Sequence, residues 1–255
     1  MSNPATLAKT LSVPVAESAH FARNFIRLAV CELRFPTLFE LVESERPPAA
    51  FSKALRKDYP THDLIKDVNL NPGGFAQASA HAFRSKKARW TVTLRAAALT
   101  LETSDYDAFN ELEDRLRAVL DAARATIDSD FFTRVGLRYI NAVPFNLTDI
   151  KEWVNPGLVA PLGDQTFGDV DEHSQVVRGS TSVGGYSFRH GIANKMQGGG
   201  QDYMLDFDFY REDVPLSETV STVRKLHDLE FSMFFWSLGP SAKAHLGPST
   251  LKGPR

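Results

Sequence analysis
Four small groups of side chains in this sequence have types and spacings that could do chemistry. Asp206 and Asp208 stand at i, i+2 in Tyr203-Met204-Leu205-Asp206-Phe207-Asp208-Phe209. On a strand they share one face, while Leu205, Phe207 and Phe209 share the other. Carboxylates so paired can hold Mg²⁺ and act on a phosphorylated or nucleotide substrate. Such enzymes usually carry a glycine turn well upstream with a helix between. Here Gly198-Gly199-Gly200 stands too close to Asp206 for a helix to intervene. A sheet with one wet face accounts for the same alternation.

The second group is Arg134, Arg138 and Arg189, which could hold a carboxylate or phosphate bidentately if they converge. Internal pairing with Glu32, Asp206 or Asp208 is the competing expectation. Third, His227 and Glu230 lie at i, i+3 and can share a metal ion on a helix. Only two ligands are visible, and Val220, Val223 and Phe234 around them favour a hydrogen-bonded core histidine. The last group, Arg84, Lys86, Lys87 and Arg89 beside Trp90, is a basic patch that reads best as a charged hairpin tip.

Composition narrows the function classes. The chain has 255 residues, a formal net charge of -2 and 43% hydrophobic residues. That balance fits a globular protein and sets up no global field for nucleic acid or an anionic membrane. The lone Cys31 excludes an internal disulfide or a multi-cysteine metal site, and its apolar run suits a buried, inert thiol. No run reaches the ~18 apolar residues of a membrane span, and the N-terminus carries no secretory core. The default placement is therefore the bacterial-type cytoplasm. No Walker loop, G-x-S-x-G, G-x-G-x-x-G after a strand or H-E-x-x-H is present. The reading leans away from an enzyme and names no cofactor.

The elements that must position these groups follow from periodicity. Residues 1–22 read as a loosely held arm and 247–255 as a tail. Arg27–Phe35 alternates as a strand, and Pro47-Pro48 opens a short helix edged by Phe51 and Leu55. Strands are expected at 63–70, 80–84 and 89–94, with a change of apolar phase near Arg95-Ala96 that demands a bulge or turn. Ser104 is placed to cap a long helix, Asp105–Ile127, buried through Leu112, Leu116, Val119 and Ala123, with Glu113 on its wet face. A central strand at 132–143 follows. Beyond it come a short helix at 149–154, a loop at 157–172, and strands at 175–183, 186–193 and 203–211. A second long helix starts at Ser217 or Pro215 and runs to about Leu238. The fold class expected is α+β: two similar lobes, 23–143 and 144–246. Each would be a mainly antiparallel sheet packed on one long helix, the two joined through the central strand into one compact unit.

With these segments in place, ELRF, W-x-V-x-L, LTLETSDY, RVGLRYIN, MLDFDFY and FFWSL together resemble a sporadically distributed family of uncharacterised bacterial proteins of about this length. The R-x-G-L-R-Y-I-N strand is the most specific part. The sequence departs from that pattern at Phe231-Ser232, where the family would place an asparagine before the aromatic run. The resemblance implies no activity, and the family's patchy occurrence points to mobile defence or toxin–antitoxin neighbourhoods.

The functional readings rank as follows. A non-catalytic binding or accessory protein recognising another protein or peptide comes first. A metal-dependent enzyme using Asp206 and Asp208, and an anion binder using the three arginines, are the alternatives. A homo-oligomer is expected. Its interface is placed on the last helix at Met233, Phe235 and Trp236, because that helix carries two apolar stripes and needs one to pack on a sheet.

Overall fold
The computed structural model describes residues 11–71, 74–145, 149–164, 166–168, 170–194 and 201–248. The Pro72-Gly73 turn, the glycine run 198–200 and the tail from 249 lie outside the described residues. The strands are β1 (Ile26–Arg34), β2 (Thr61–Asn71), β3 (Gly74–Arg84), β4 (Trp90–Arg95), β5 (Ala98–Thr103), β6 (Phe131–Pro144), β7 (His173–Ser180), β8 (Gly185–Asn194) and β9 (Gln201–Pro215). The helices are α1 (Ala49–Leu55), α2 (Phe109–Ile127), α3 (Ile150–Trp153), α4 (Pro156–Gly163), α5 (Thr219–Ser237) and α6 (Pro240–Leu246). The strands form a nine-stranded sheet of order β2-β3-β4-β5-β1-β6-β9-β8-β7. The fold is α+β. It does not carry the expected repeat of element order, since four strands separate α1 from α2 and only three lie between α4 and α5.

The chain divides into two compact units. One comprises Arg27–Arg138 and Arg211–Arg224. Its β1 alternates as the sequence demands, with Ala29, Cys31 and Leu33 buried. The phase change at Arg95-Ala96 is the turn between β4 and β5, whose antiparallel register sets Arg95 against Ala98. Crossing that turn lets Val92 and Leu94 face the same side as Leu99 and Leu101. Trp90, at the start of β4, is buried under the Arg115 guanidinium, 4.9 Å from its ring. Two of the four cations of the basic patch are paired: Arg84 with Asp63, and Arg89 with Asp105 at 2.8 Å.

α2 buries Leu112, Leu116, Val119, Ala123 and Ile127, one face at three- and four-residue steps. It begins at Phe109 and not at Asp105. The Asp105 N–H donates to the Thr103 hydroxyl at 3.0 Å, and this local turn displaces the helix start that Ser104 seemed to mark. Asp128 closes the helix in the left-handed region, φ 42°. Glu113 is not on a wet face. It is 5% exposed and held by Arg117 at 2.5 Å and by Arg224 at 2.7 Å on each oxygen. A helix wheel cannot foresee a cation arriving from residue 224.

The other unit comprises Met1–Ile26, Tyr139–Tyr210 and Lys225–Arg255. Here β8 pairs antiparallel with both β7 and β9. Tyr203, Leu205, Phe207 and Phe209 are fully buried on one face of β9, and Phe188 stacks on Phe207 at 4.6 Å. That face carries α4 and α5: the Tyr203 hydroxyl donates to the Leu158 carbonyl at 3.4 Å, and the Tyr139 hydroxyl lies 3.2 Å from His227 Nδ1. α4 occupies the segment expected to be a loop. Asn155 caps it by accepting from the Gly157 N–H at 2.9 Å, and Pro156 supplies a pre-set first turn. Pro240 opens α6 in the same way.

Candidate functional site
β7 is the last strand of the sheet, His173-Ser-Gln-Val-Val-Arg-Gly-Ser180. Its hairpin with β8 closes at Thr181–Gly184, where the Thr181 N–H donates to the Gly184 carbonyl at 2.7 Å. That bond sets the phase of the ladder, because hydrogen-bonded and non-bonded pairs alternate in antiparallel strands. Residues 173, 175, 177 and 179 exchange bonds with β8. Ser174, Val176, Arg178 and Ser180 turn their N–H and C=O groups toward the free edge. Gly191 permits the close approach of β7, since a Cβ there would sit on the His173 carbonyl.

The edge is lightly guarded, with Arg178 as the one arginine along it. Proteins usually blunt such strands with proline, lysine, inward charges or bulges. β7 has no proline, lysine or carboxylate along its eight residues. His173 is half-buried and the other seven are exposed, with Val176 at 45% and Val177 at 46%. Adjacent valines point to opposite faces, so both sides of the edge offer apolar surface.

Behind the edge lies a sealed polar cluster. His190 is 1% exposed and its Nδ1 is 2.8 Å from the Tyr203 hydroxyl. Burial, helped by the neighbouring His173, holds the His190 imidazole down at about 4. Burial likewise lowers His173, whose Nδ1 is buried without a hydrogen-bond partner, and raises the Tyr203 phenol. Across the core, Glu230 on α5 is 1% exposed and neither carboxylate oxygen makes a hydrogen bond of proper geometry. Burial first, then the charges of Asp208 and Asp206, push its carboxyl well above the usual range, while the Phe209 N–H acts in the opposite sense. Burial without a counter-charge thus favours the protonated form of Glu230 inside the fold.

The residues singled out from sequence fall as follows. Asp206 and Asp208 are half-buried on the face of β9 away from the helices, and Arg189 of β8 stands directly opposite Asp206 in the register. Among the described residues no three His, Cys, Asp or Glu side chains are grouped to hold a metal ion. Arg134 donates to Glu32 at 3.1 Å, the internal pairing weighed against an anion site. Arg138 lies in the same unit as Arg134, and the exposed Arg189 in the other. His227 is the core histidine, bonded to Tyr139.

On the aromatic helix the residues expected at a subunit interface differ in burial, Met233 being buried and Phe235 and Trp236 half-buried. Met233 is 6% exposed and faces inward with Leu226 and Glu230. The outward stripe is Phe231 and Phe235, and the chain's own arm covers it. Phe21 stacks on Phe231 at 6.1 Å and on Phe235 at 6.4 Å, and the Ala16 N–H donates to Ser232 Oγ at 3.2 Å. The arm from Pro14 to Glu17 with Ala19 and Phe21, together with Phe231, Phe235, half-buried Trp236 and Lys243, borders a groove of about 470 Å³. The second stripe already has a cover, so it does not require a subunit to bury it.

The exposure of β7 and the isolation of Glu230 were missed from sequence. The adjacent Val176-Val177 was the available signal for β7: a strand buried on one face alternates, and this one does not. Nothing local marks Glu230. No helix among the described residues is long and apolar enough to cross a membrane. No family model and no curated protein matches the chain.

Proposed function
We propose that this chain is a non-catalytic binding protein that takes an extended segment of another protein chain onto the edge of β7. One observation carries the reading: an eight-residue edge strand, exposed at all but His173, with no proline, lysine or carboxylate and a single arginine, Arg178. Strand addition uses main-chain hydrogen bonds for affinity and alternate side chains for specificity. Four outward-facing residues supply N–H and C=O groups, each hydrogen bond adding roughly 0.5–1.5 kcal/mol net. Val176 and Arg178 would read the incoming strand from one face, and Gln175 and Val177 from the other. An accessory role in a mobile defence or toxin–antitoxin neighbourhood is compatible with such a surface.

The test is Val176→Pro. Proline removes an N–H that points to the free edge and leaves the bonds to β8 intact, the position where edge strands tolerate it. A displayed random-peptide library selected on the wild type should enrich extended, proline-free sequences. Those peptides should lose at least tenfold in affinity for folded Val176→Pro. Peptides that bind both proteins equally would overturn the reading.

A further inference from the structure
Resting on strand addition at β7, we infer that the strand's partner is β7 of a second copy, paired antiparallel about a twofold axis through Gln175. The argument is charge complementarity along one segment. Glu172-His-Ser-Gln-Val-Val-Arg178 has an acid at one end, a base at the other and Gln175 midway. Glu172 and Arg178 are both exposed. Both share the parity of Ser174 and Val176, the residues whose backbone groups face the free edge. Antiparallel pairing about Gln175 therefore sets Glu172 of each copy opposite Arg178 of the other, twice, on the same face of the extended sheet.

Shifting the axis to Val176 places Arg178 opposite Ser174, and shifting it to Val177 places Arg178 opposite Val176. Neither alternative uses the acid. In the Gln175 register, Ser174 and Val176 exchange backbone hydrogen bonds with Val176 and Ser174 of the second copy. Val177 covers the edge beside half-buried His173. No like charges face each other. A foreign strand would have to present this charge order by chance, whereas the chain's own strand already has it. Self-association thus moves from α5, which the arm covers, to β7, which nothing among the described residues covers.

Gln175 forms a non-hydrogen-bonded pair with its own copy in this register. Such pairs have Cα atoms about 4.5 Å apart, within disulfide range. Gln175→Cys should therefore oxidise to a covalent dimer on a non-reducing gel. Val177→Cys, opposite His173, should not, and Cys31 is fully buried and takes no part. By light scattering at micromolar concentration the wild type should have twice the protomer mass. Arg178→Glu should halve it by setting Glu172 against a second acid. Glu172→Arg combined with Arg178→Glu should restore the dimer.

A monomeric wild type with no Gln175→Cys cross-link overturns self-pairing. So does a dimer indifferent to Arg178→Glu, which would mean another surface. Either result leaves strand addition itself to stand or fall on the Val176→Pro peptide experiment.

Discussion
Glu230 shows what a single side chain does to the balance of this fold. It ionises in an unfolded chain above about pH 4.5, and burial in the folded one raises its pKa well above that. A carboxyl raised in this way contributes stability that is fully present below its unfolded value. That contribution is lost as pH rises toward the folded value, because the native state must keep a proton that the unfolded state releases. Glu230→Gln keeps the shape and removes the proton. The variant should match the wild type near pH 4 and melt higher at pH 7, by roughly 2–4 °C, the shift about 1 kcal/mol gives in a chain of this size. Parallel melting curves for the two proteins across pH 4–8 would show that Glu230 ionises in place. His190 works in the other direction. Its pKa is depressed to about 4, so its contribution is present above about 6.5 and lost as pH falls toward 4. Comparing Glu230→Gln with the wild type cancels that shared loss. Glu113 has none of this isolation: two arginines hold it, and desolvation is outweighed by their hydrogen bonds, so its pKa is lowered.

At the scale of elements, the arm and α5 depend on each other. Residues 11–22 form no helix, yet they are fixed by side-chain contacts. Phe21 stacks with Phe231 and Phe235, and the Arg23 N–H donates to the Leu246 carbonyl at 3.1 Å. The Lys243 ammonium lies 4.7 Å from the Phe235 ring and closes the other side of the stack. Phe21→Ala should lower stability by roughly 1–3 kcal/mol, since it removes a half-buried ring together with its two stacking partners. The measurement is the midpoint of urea unfolding. An unchanged midpoint would show that the arm rests on α5 without contributing to the fold. The same variant should leave the β7 edge unaltered, so its self-association should persist.

For the whole molecule, the path of the chain decides what can be separated. It passes between its two compact units at 26–27, 138–139, 210–211 and 224–225. A cut at the apparent midpoint falls in or beside β6, which contributes residues to both units, and parts Arg211–Arg224 from Arg27–Arg138. Fragments 1–128 and 144–255, expressed separately, should each lack a cooperative urea transition and near-UV dichroism. The first loses β6 and the Arg224 partner of Glu113, and the second loses the Phe21 arm. A sharp transition in either fragment would show that a half-chain carries a complete core.

Periodicity alone determined most elements of this protein, for a simple reason: a buried face must repeat with the geometry of its backbone. β1, α2, β6 and β9 stand close to where the alternation of Ala29, Cys31 and Leu33, or the three-and-four spacing from Leu112 to Ile127, requires them. The turn at Arg95-Ala96 was legible because a strand cannot change its apolar phase without one. Local chemistry also marked His227, lodged in an apolar helix face, as a buried, hydrogen-bonded histidine. The sequence could not decide whatever depends on a partner distant along the chain. Glu113 is buried because Arg224 reaches it, and the Phe231–Phe235 stripe is covered because Phe21 does. Spacing does not encode those arrivals. The position of β7 at the end of the strand order belongs to the same class, and only the tertiary structure supplies it. A strand's own residues set which way its side chains alternate. Its neighbours decide whether its backbone is satisfied or left to bind, and among the described residues one side of β7 has no neighbour in the sheet.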